Sequence, residues 1–205
     1  MVSLFALATK PYEFFAEDIK KSFPKGSKIL FVGDSSSEFY SYLDSGFFSL
    51  SILHLGNSSE SFSADSLSFE SLSGMRESFD ILVLFDVLSS LEDSRKVLED
   101  FYASLKESGK MYISVKNIAF LQDETKETKN HSSLYDARKW KYIFEMNSLI
   151  VERNFTFSVS GSYLNAFRYL GLPFVPQGEK VGFILLKSKR GCRRNSDFLE
   201  DSIKI

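Results

Sequence analysis

Short apolar segments alternate with amphipathic helical segments along this chain, and that alternation limits the possible folds more than any other feature of the sequence. The clearest apolar segments are Ile29–Val32, Phe79–Phe85 and Met111–Val115. Nearly continuous apolar runs bounded by polar residues or glycine are typical of strands that are buried on both faces. Strands that alternate with helices form βαβ units. The sequence therefore predicts an α/β fold with a parallel sheet.

Three longer segments have helical periodicity. The first is Tyr12–Phe23, which ends before a proline and a glycine, and the last is Leu134–Met146. The apolar stripe of the middle helix consists of Val97, Leu98, Phe101 and Leu105. Asp93 is a suitable N-cap for this helix, and Gly109 is expected to end it. We therefore expect helices to connect the strands.

Further strands are expected at Phe47–Leu55, Ser148–Ser160 and Val181–Leu186, each of which is apolar or alternates apolar with polar residues. The serine-rich segment Asn57–Gly74 is expected to be a loop with one short strand. Lys116–Ser133 is expected to be an exposed loop that is too long to be merely connective. Loops of that length are often functional.

Size, charge and residue usage exclude several classes of protein. A chain of 205 residues and 23.4 kDa suits one domain, which we place at residues 1–188, with a C-terminal tail at 189–205. With a net charge of −2 and a pI near 5.8, the protein has no excess of positive charge that would attract a polyanion, so no nucleic acid partner is expected. The single Cys192 excludes an internal disulfide, and two histidines far from it predict no transition-metal site.

The two ends of the chain bear on its location. The apolar segment 1–11 is too short to span a bilayer and lacks the positively charged N-terminal region of a secretory signal peptide. We therefore expect a cytoplasmic protein without a transmembrane segment. A group of basic residues spans the end of the domain and the start of the C-terminal tail: Lys187, Lys189, Arg190, Arg193 and Arg194. They suit a solvated extension or, as the alternative, contact with an acidic partner or a membrane surface.

The segment Lys28–Phe39, KILFVGDSSSEF, carries the strongest indication of a ligand site. Gly33 and the serine turn follow the first apolar strand, and open α/β sheets bind ligands at the carboxyl ends of their strands. A serine-hydrolase elbow needs Gly-x-Ser-x-Gly, and a phosphate loop needs a Gly-Lys-Ser/Thr ending. Neither motif is present here. A nicotinamide site would need glycines and an acidic residue that this segment lacks.

Two long segments have the order of elements of a known family. Phe79–Asn117 is FDILVLFDVLSSLEDSRKVLEDFYASLKESGKMYISVKN, and His131–Asn154 is HSSLYDARKWKYIFEMNSLIVERN. The first resembles the fourth strand, the following helix and the fifth strand of class I S-adenosylmethionine-dependent methyltransferases. The second is similar to their substrate-side loop, helix and sixth strand. The resemblance implies a Rossmann-like, doubly wound, mostly parallel seven-stranded sheet with an antiparallel last strand and helices on both faces. It also implies S-adenosylmethionine as cofactor.

In that family the first strand ends with an acidic residue followed by three alternating glycines. By the resemblance, Phe31 stands at the acidic position and Gly33 at the first glycine. Ser35 and Ser37 stand at the other two glycines, with Asp34 in the same turn. The glycines matter because a side chain keeps the backbone away from the cofactor and makes positive φ costly. Serine is the mildest replacement.

The resemblance also implies further cofactor contacts, which we assign to individual residues of this sequence. His54 lies about 20 residues beyond Gly33, where the family has an acidic residue that binds the ribose. A neutral imidazole can accept only one hydrogen bond, so it cannot bind both ribose hydroxyls. The segment from Ala64 to Leu67 resembles the loop after the third strand, in which Asp65 would meet the adenine amino group and Ser66 would lie beside it. The alternative for Asp65 is a solvated loop aspartate.

The residues implied to line the cofactor after the fourth strand are Phe85, Asp86 and Val87. Asp86 has the alternative role of capping the next turn.

Catalysis by this fold needs no fixed motif. Methyl transfer from a sulfonium requires a nucleophile held in line, and a general base only when the acceptor must lose a proton. His131, in the loop expected on the substrate side, titrates in a range suited to that base. The alternative is a surface histidine. Lys116, Asn117 and Tyr135 are candidates for substrate contacts.

Two functions fit the sequence. The first is methyl transfer from S-adenosylmethionine to a small molecule, such as a lipid or sugar intermediate, which Asp65 and the Phe79–Asn117 resemblance favour. The alternative is a catalytically inactive, methyltransferase-like binding or scaffold protein that has lost the cofactor site, which the GDSSS turn and His54 favour. An enzyme should have an open cavity near Gly33, whereas Phe31 or the serine turn should fill that space in the inactive protein.

Overall fold

The computed structural model describes residues 11–33, 39, 41–43, 46, 48–53, 65–67, 72, 74–88, 94–117, 135–157 and 180–188, with 65–67 described by their backbone. The helices in these ranges are α1 (Pro11–Ser22), α2 (Ser94–Ser104) and α3 (Ala137–Met146). The strands are β1 (Lys28–Val32), β2 (Ser49–Leu53), β3 (Asp65–Leu67), β4 (Phe79–Phe85), β5 (Leu105–Lys116), β6 (Leu149–Phe157) and β7 (Lys180–Lys187). The longest of these helices has 12 residues, and none in the described ranges could cross a membrane.

The strands form one seven-stranded sheet in the order β3-β2-β1-β4-β5-β7-β6. The first five strands in this order are parallel, and β7 runs antiparallel to both β5 and β6. This topology confirms the predicted Rossmann-like sheet with an antiparallel last strand. The short strand predicted within Asn57–Gly74 is β3, which forms one edge of the sheet.

Helices cover both faces of the sheet, as predicted. Helix α1 packs on the face that carries Ile29 and Phe31 of β1, whereas α2 and α3 pack on the face that carries Leu30 and Val32. All four side chains are fully buried. Alternate residues of a strand point to opposite faces, so a strand covered on both sides has no polar face. This is why β1 and β4 are nearly continuous apolar runs.

One predicted boundary is wrong. Helix α2 ends at Ser104, and Gly109 lies inside β5 instead of ending the helix. Leu105, predicted as the last apolar residue of the helix, pairs with Phe79 as the first residue of the strand. A Cβ built on Gly109 would lie only 2.8 Å from the backbone oxygen of Asp80. The glycine therefore permits a close approach between β5 and β4, next to the register shift of this pair. Asp93, the predicted N-cap, lies outside the described residues.

A polar network ties α1 to the sheet. The Tyr112 hydroxyl on β5 donates a hydrogen bond to Asp18 Oδ2 at 2.8 Å, and Arg153 on β6 forms an ion pair with the other oxygen of Asp18. Burial and the neighbouring Asp18 carboxylate raise the pKa of Tyr112, so its hydroxyl remains a hydrogen-bond donor. Helix α1 is thereby fixed across β5 and β6.

Asp80 joins three strands near the amino end of β4, and its charge makes a pH-dependent contribution to stability. Its carboxylate accepts hydrogen bonds from the Lys28 backbone N–H at 2.9 Å and from Lys106 Nζ at 2.8 Å. Burial alone would raise the pKa of Asp80, but these hydrogen bonds and the charges of both lysines outweigh it and lower the pKa below 3.8. The stabilisation is therefore present above the pKa of an unfolded aspartate and is lost as the pH falls through the lower folded pKa.

We expect Asp80→Asn to lower the free energy of unfolding at pH 7 by about 1–2 kcal/mol, because hydrogen bonds to a charged group are lost. The difference from wild type should shrink as the pH falls from 5 to 3. Urea unfolding at several pH values measures both effects. Glu107→Gln, which neutralises an exposed carboxylate next to Lys106, is the control and should change stability by no more than about 0.5 kcal/mol. If Asp80→Asn lowered the free energy of unfolding by the same amount from pH 7 to pH 3, the ionised Asp80 carboxylate would not be the source of the lost stability.

Candidate functional site

The candidate site lies where β1 and β4 end beside each other. Val32 pairs with Leu84, so Gly33, the first residue beyond β1, lies next to Phe85, the last residue of β4. β1 has β2 as its other neighbour, whereas β4 has β5. The strand order therefore reverses between β1 and β4, and a crevice at such a reversal is the usual ligand site of an open α/β sheet. The structure brings Gly33 close to Phe85, the last residue of β4, and to Val87 just beyond that strand.

Gly33 has a conformation that favours glycine. Its φ is +139°, and its N–H donates a hydrogen bond to the Leu53 oxygen of β2 at 3.3 Å. A Cβ built here would lie 3.4 Å from the Phe85 oxygen and 3.6 Å from Val87 Cγ2. These are ordinary contact distances, so the backbone angle, more than a lack of space, disfavours a side chain. The first glycine of the family motif is thus required by the path of the chain.

An aromatic cluster occupies the position where the family has an acidic residue. The cluster comprises Tyr12, Phe15, Phe31, Phe39 and Phe85. Phe31 is fully buried and stacks on Phe39, with 5.4 Å between ring centroids and 25° between ring planes. Its ring centroid lies 5.8 Å from that of Phe85. Packed rings from α1, β1 and β4 and from the segment after β1 therefore surround the position that the resemblance assigns to an acidic residue.

Asp86 lies just beyond β4 and is held by several contacts. Its φ is +56°, its N–H donates to the Ser114 oxygen at 2.8 Å, and Ser114 Oγ donates to Asp86 Oδ1 at 3.0 Å. Lys180 at the start of β7 forms an ion pair with Asp86 Oδ2. The carboxylate is thus directed toward β5 and β7, on the side of β4 away from Gly33.

The predicted place of Asp65 and Ser66 needs a correction. Both residues lie in β3, with Asp65 opposite Ser51 and Ser66 opposite Ile52, and not in the loop after that strand. A three-residue edge strand needs few apolar residues, so the serine-rich sequence indicated a short strand in this segment without giving its position. Their roles at the cofactor stay predictions.

Five other predicted site residues lie outside the described ranges: Asp34, Ser35, Ser37, His54 and His131. The candidate substrate contacts are described in part. Asn117 is buried just beyond β5, and Lys116 is the last residue of that strand. The ring centroid of Tyr135 lies 5.2 Å from that of Trp140 on α3.

Sequence reasoning missed Ser114 and Lys180, the two partners of Asp86. Lys180 pairs directly with Lys116 across the antiparallel β5 and β7, and this register depends on how the end of the chain folds back on the sheet. The sequence signal available was a lysine immediately before the apolar run of β7. That signal does not identify a partner.

Comparisons with known proteins agree with this architecture. A family model described as a methyltransferase domain matches residues 11–172. No curated protein sequence matches the chain. Three solved structures illustrate the similarity in fold. A TehB-like SAM-dependent methyltransferase from Corynebacterium glutamicum is 20% identical with a TM-score of 0.59, over 86% of this chain and 88% of the other.

The other two structures are more distant in sequence. A protein from Haloferax volcanii in complex with the Trm112 methyltransferase activator is 10% identical with a TM-score of 0.62, over 89% of this chain and 96% of the other. The [4+2]-cyclase SpnF is 9% identical with a TM-score of 0.61, over 86% and 80% of the two chains. At these identities the structures show a shared fold, and that fold carries more than one chemistry.

Proposed function

The chain belongs to the methyltransferase domain family, whose model matches residues 11–172, and we propose that it transfers a methyl group from S-adenosylmethionine to a small molecule such as a lipid or sugar intermediate. One observation carries the proposal: Gly33, at φ +139°, faces Phe85 and Val87 at the reversal of strand order between β1 and β4. That crevice is the site at which an open α/β sheet binds its ligand.

The described residues fit the cofactor in backbone geometry and in the chemistry of their rings. Gly33 lets the chain turn sharply at the end of β1, and the backbone of Phe85 lies alongside it. Tyr12 and Phe85 are the members of the aromatic cluster that retain some exposure, and aromatic rings attract cations such as a sulfonium. When bound, the cofactor supplies an electrophilic methyl group. Gly33, Phe85 and Val87 would hold it at the crevice.

We propose that the methyl acceptor binds on the β5 side of the crevice. Lys116 ends β5 and Asn117 follows it, and we propose that they and Tyr135 contact the acceptor. His131 is the proposed base for acceptors that must lose a proton, because its titration range suits that task. We also propose a cytoplasmic location, since the single cysteine fits a reducing compartment.

A second candidate function is supported by the aromatic cluster. Phe31 is fully buried where the family has an acid, and it stacks on Phe39, so no carboxylate is available at this position. Ser35, Ser37 and His54 also depart from the family pattern. A catalytically inactive binding or scaffold protein would retain the fold and lose affinity for the cofactor.

Thermal unfolding with S-adenosylmethionine and its demethylated product tests the proposal. Ligand at a hundred times its dissociation constant contributes about 2.7 kcal/mol, which raises the Tm of a chain of this size by roughly 5–10 °C. We expect Gly33→Ala to abolish most of this rise. The matched control is Gly26→Ala, because Gly26 also has positive φ, at +88°, but precedes β1 and has open space around its Cβ position.

The glycine pair separates loss of binding from loss of stability. Both substitutions should lower the Tm of the free protein through backbone strain, but Gly26→Ala should keep the ligand-induced rise. If millimolar cofactor produces no rise in the wild-type protein, the methyltransferase proposal fails and the second candidate is favoured.

A further inference from the structure

A buried hydrogen-bond donor on α3 lacks an acceptor. Trp140 is fully buried, and within the described ranges its indole Nε1 has no hydrogen-bond partner. This N–H is the one polar group of an indole, and it can only donate. Buried donors are nearly always paired in folded proteins, so an unpaired one calls for a physical explanation.

The other unpaired buried polar atom among the described residues has a structural explanation. Asn147 Oδ1 also lacks a partner, but Nδ2 of the same side chain donates to the Ile143 oxygen at 2.8 Å. Asn147 is the C-cap of α3, so its side chain is fixed by the end of the helix. No comparable polar contact within the described ranges accounts for the N–H of Trp140.

The position of Trp140 relates it to the candidate acceptor side of the crevice. β5 and β6 both run antiparallel to β7, so β6 begins at the edge of the sheet opposite the crevice, and α3 runs toward that edge. Phe144 contacts Phe183 of β7. Trp140 precedes Phe144 by one helical turn, which places it about 6 Å nearer the edge where β5 ends. The indole is thus on the side of Lys116 and Asn117.

Tyr135 connects the buried indole with the protein surface. Its side chain is partly exposed, and its ring centroid lies 5.2 Å from that of Trp140, with 65° between the ring planes. Lys139 is exposed, and its Nζ lies 3.9 Å from the centroid of the Tyr135 ring. We name Tyr135 and Trp140 the aromatic pair. The aromatic pair extends from the surface to the unpaired donor.

The chemistry of the aromatic pair favours one kind of ligand. An indole N–H donates a single hydrogen bond, so it suits one acceptor oxygen. A buried anion would need several donors or a paired cation, and the exposed Lys139 ammonium keeps its hydration. A sugar would bring several hydroxyls, each of which needs a partner once it leaves water. The rings of Tyr135, Trp140 and Phe144 offer apolar contact instead.

We propose that the Trp140 N–H binds the uncharged oxygen of an apolar methyl acceptor, and that the Tyr135 side chain rotates aside to admit it. Exposed side chains change rotamer within nanoseconds. The inference rests on the proposed function and deepens it, because it selects a lipid-like acceptor over a sugar. Trp140 binds the acceptor in this account and transfers no proton.

The test is a nuclear magnetic resonance titration of the isotope-labelled full chain with phenol, an apolar ring that carries one uncharged oxygen. Trp140 is the one tryptophan of the sequence, so a single indole N–H resonance reports on it. We expect phenol to bind saturably and to move this resonance downfield, because the indole proton gains a hydrogen bond. Toluene, in which a methyl group replaces the hydroxyl, should bind without the downfield shift. Glucose and benzoate should leave the resonance unchanged.

Trp140→Phe separates the hydrogen bond from the apolar contacts. It keeps an aromatic ring and removes the N–H, so the affinity for phenol relative to toluene, measured from backbone amide shifts, should fall about three- to ten-fold. A purely structural role of the indole would weaken both probes equally. Tyr142→Phe is the matched control, because it also removes one polar group from a ring of α3. Tyr142 is 60% exposed, so this ratio should not change.

Several results would overturn the inference: no saturable binding of phenol, no downfield shift of the indole resonance, the same shift with glucose or benzoate, or an unchanged affinity ratio in Trp140→Phe. A contact between the indole proton and water that persists at saturating phenol would also overturn it, since the donor would then serve a bound water only.

Thermal shifts with S-adenosylmethionine on the same preparation keep the two proposals apart. Phenol binding at Trp140 without a cofactor shift removes the proposed function and leaves a binding site at the aromatic pair. A cofactor shift without phenol binding removes the inference about Trp140 alone.

Discussion

Replacing Phe31 with alanine is expected to lower the free energy of unfolding by about 3–5 kcal/mol, the usual cost of truncating a fully buried phenylalanine. Phe31 has no exposed surface, and its ring is packed against Phe39 and Phe85. The substitution removes these ring contacts and opens a cavity where α1, β1 and β4 meet. Urea unfolding monitored by circular dichroism measures the loss.

Two control variants isolate the contribution of the buried ring. Phe14→Ala removes the ring next to Phe15 along α1, but Phe14 is only partly buried, so the loss of stability should be clearly smaller. Phe31→Leu keeps most of the volume and should cost about 1.5 kcal/mol or less. A loss below about 1 kcal/mol for Phe31→Ala would show that the cluster is loosely packed, and the end of β1 would then have room for a ligand.

The second large effect is expected at Trp140 on α3. Trp140→Ala should lower the free energy of unfolding by about 3–5 kcal/mol. Its indole is fully buried, stacks on Phe144 at 5.7 Å between ring centroids and meets Tyr135 edge-on. Phe144 in turn contacts Phe183 of β7. The indole therefore anchors α3 to the sheet beside Tyr135, one of the candidate substrate contacts.

Trp140→Phe should cost much less, about 1.5 kcal/mol at most. Within the described ranges the buried Trp140 Nε1 has no hydrogen-bond partner, so phenylalanine retains the apolar contacts and removes an unsatisfied donor. Tyr142→Ala, on the same helix but 60% exposed, is the control and should change stability little. Equal losses for Trp140→Phe and Trp140→Ala would mean that the indole N–H has a partner and contributes to stability.

The fold could be predicted because its apolar pattern is local. β1 and β4 are continuous apolar runs that must be buried on both faces, and α1 shows a helical repeat that ends at a proline and a glycine. The boundary at Gly109 was not predictable in this way. Glycine after a helix usually ends it, but here the glycine is required by a contact with Asp80, far away in sequence.

The candidate site was predictable only where it follows the ends of strands. Gly33, Phe85 and Val87 meet because the parallel pairing of β1 and β4 brings the ends of the two strands together. The partners of Asp86 were not predictable, since they depend on the register of β5 and β7. The resemblance placed Phe31 at the position of an acid, but it did not show that the Phe31 ring stacks on Phe39. Side-chain packing and long-range register are properties of the assembled sheet.

A crystal structure of the full chain grown with S-adenosylhomocysteine, the demethylated product, tests the central claim most directly. We predict that the ligand occupies the crevice between β1 and β4, with Gly33 beside its amino acid end and with Phe85 and Val87 lining it. The rings of Phe31 and Phe39 should stay stacked beneath it. Crystals that contain no ligand at millimolar concentration, with the aromatic cluster or the serine turn filling the crevice, would contradict the account and identify a protein that keeps the methyltransferase fold without its cofactor.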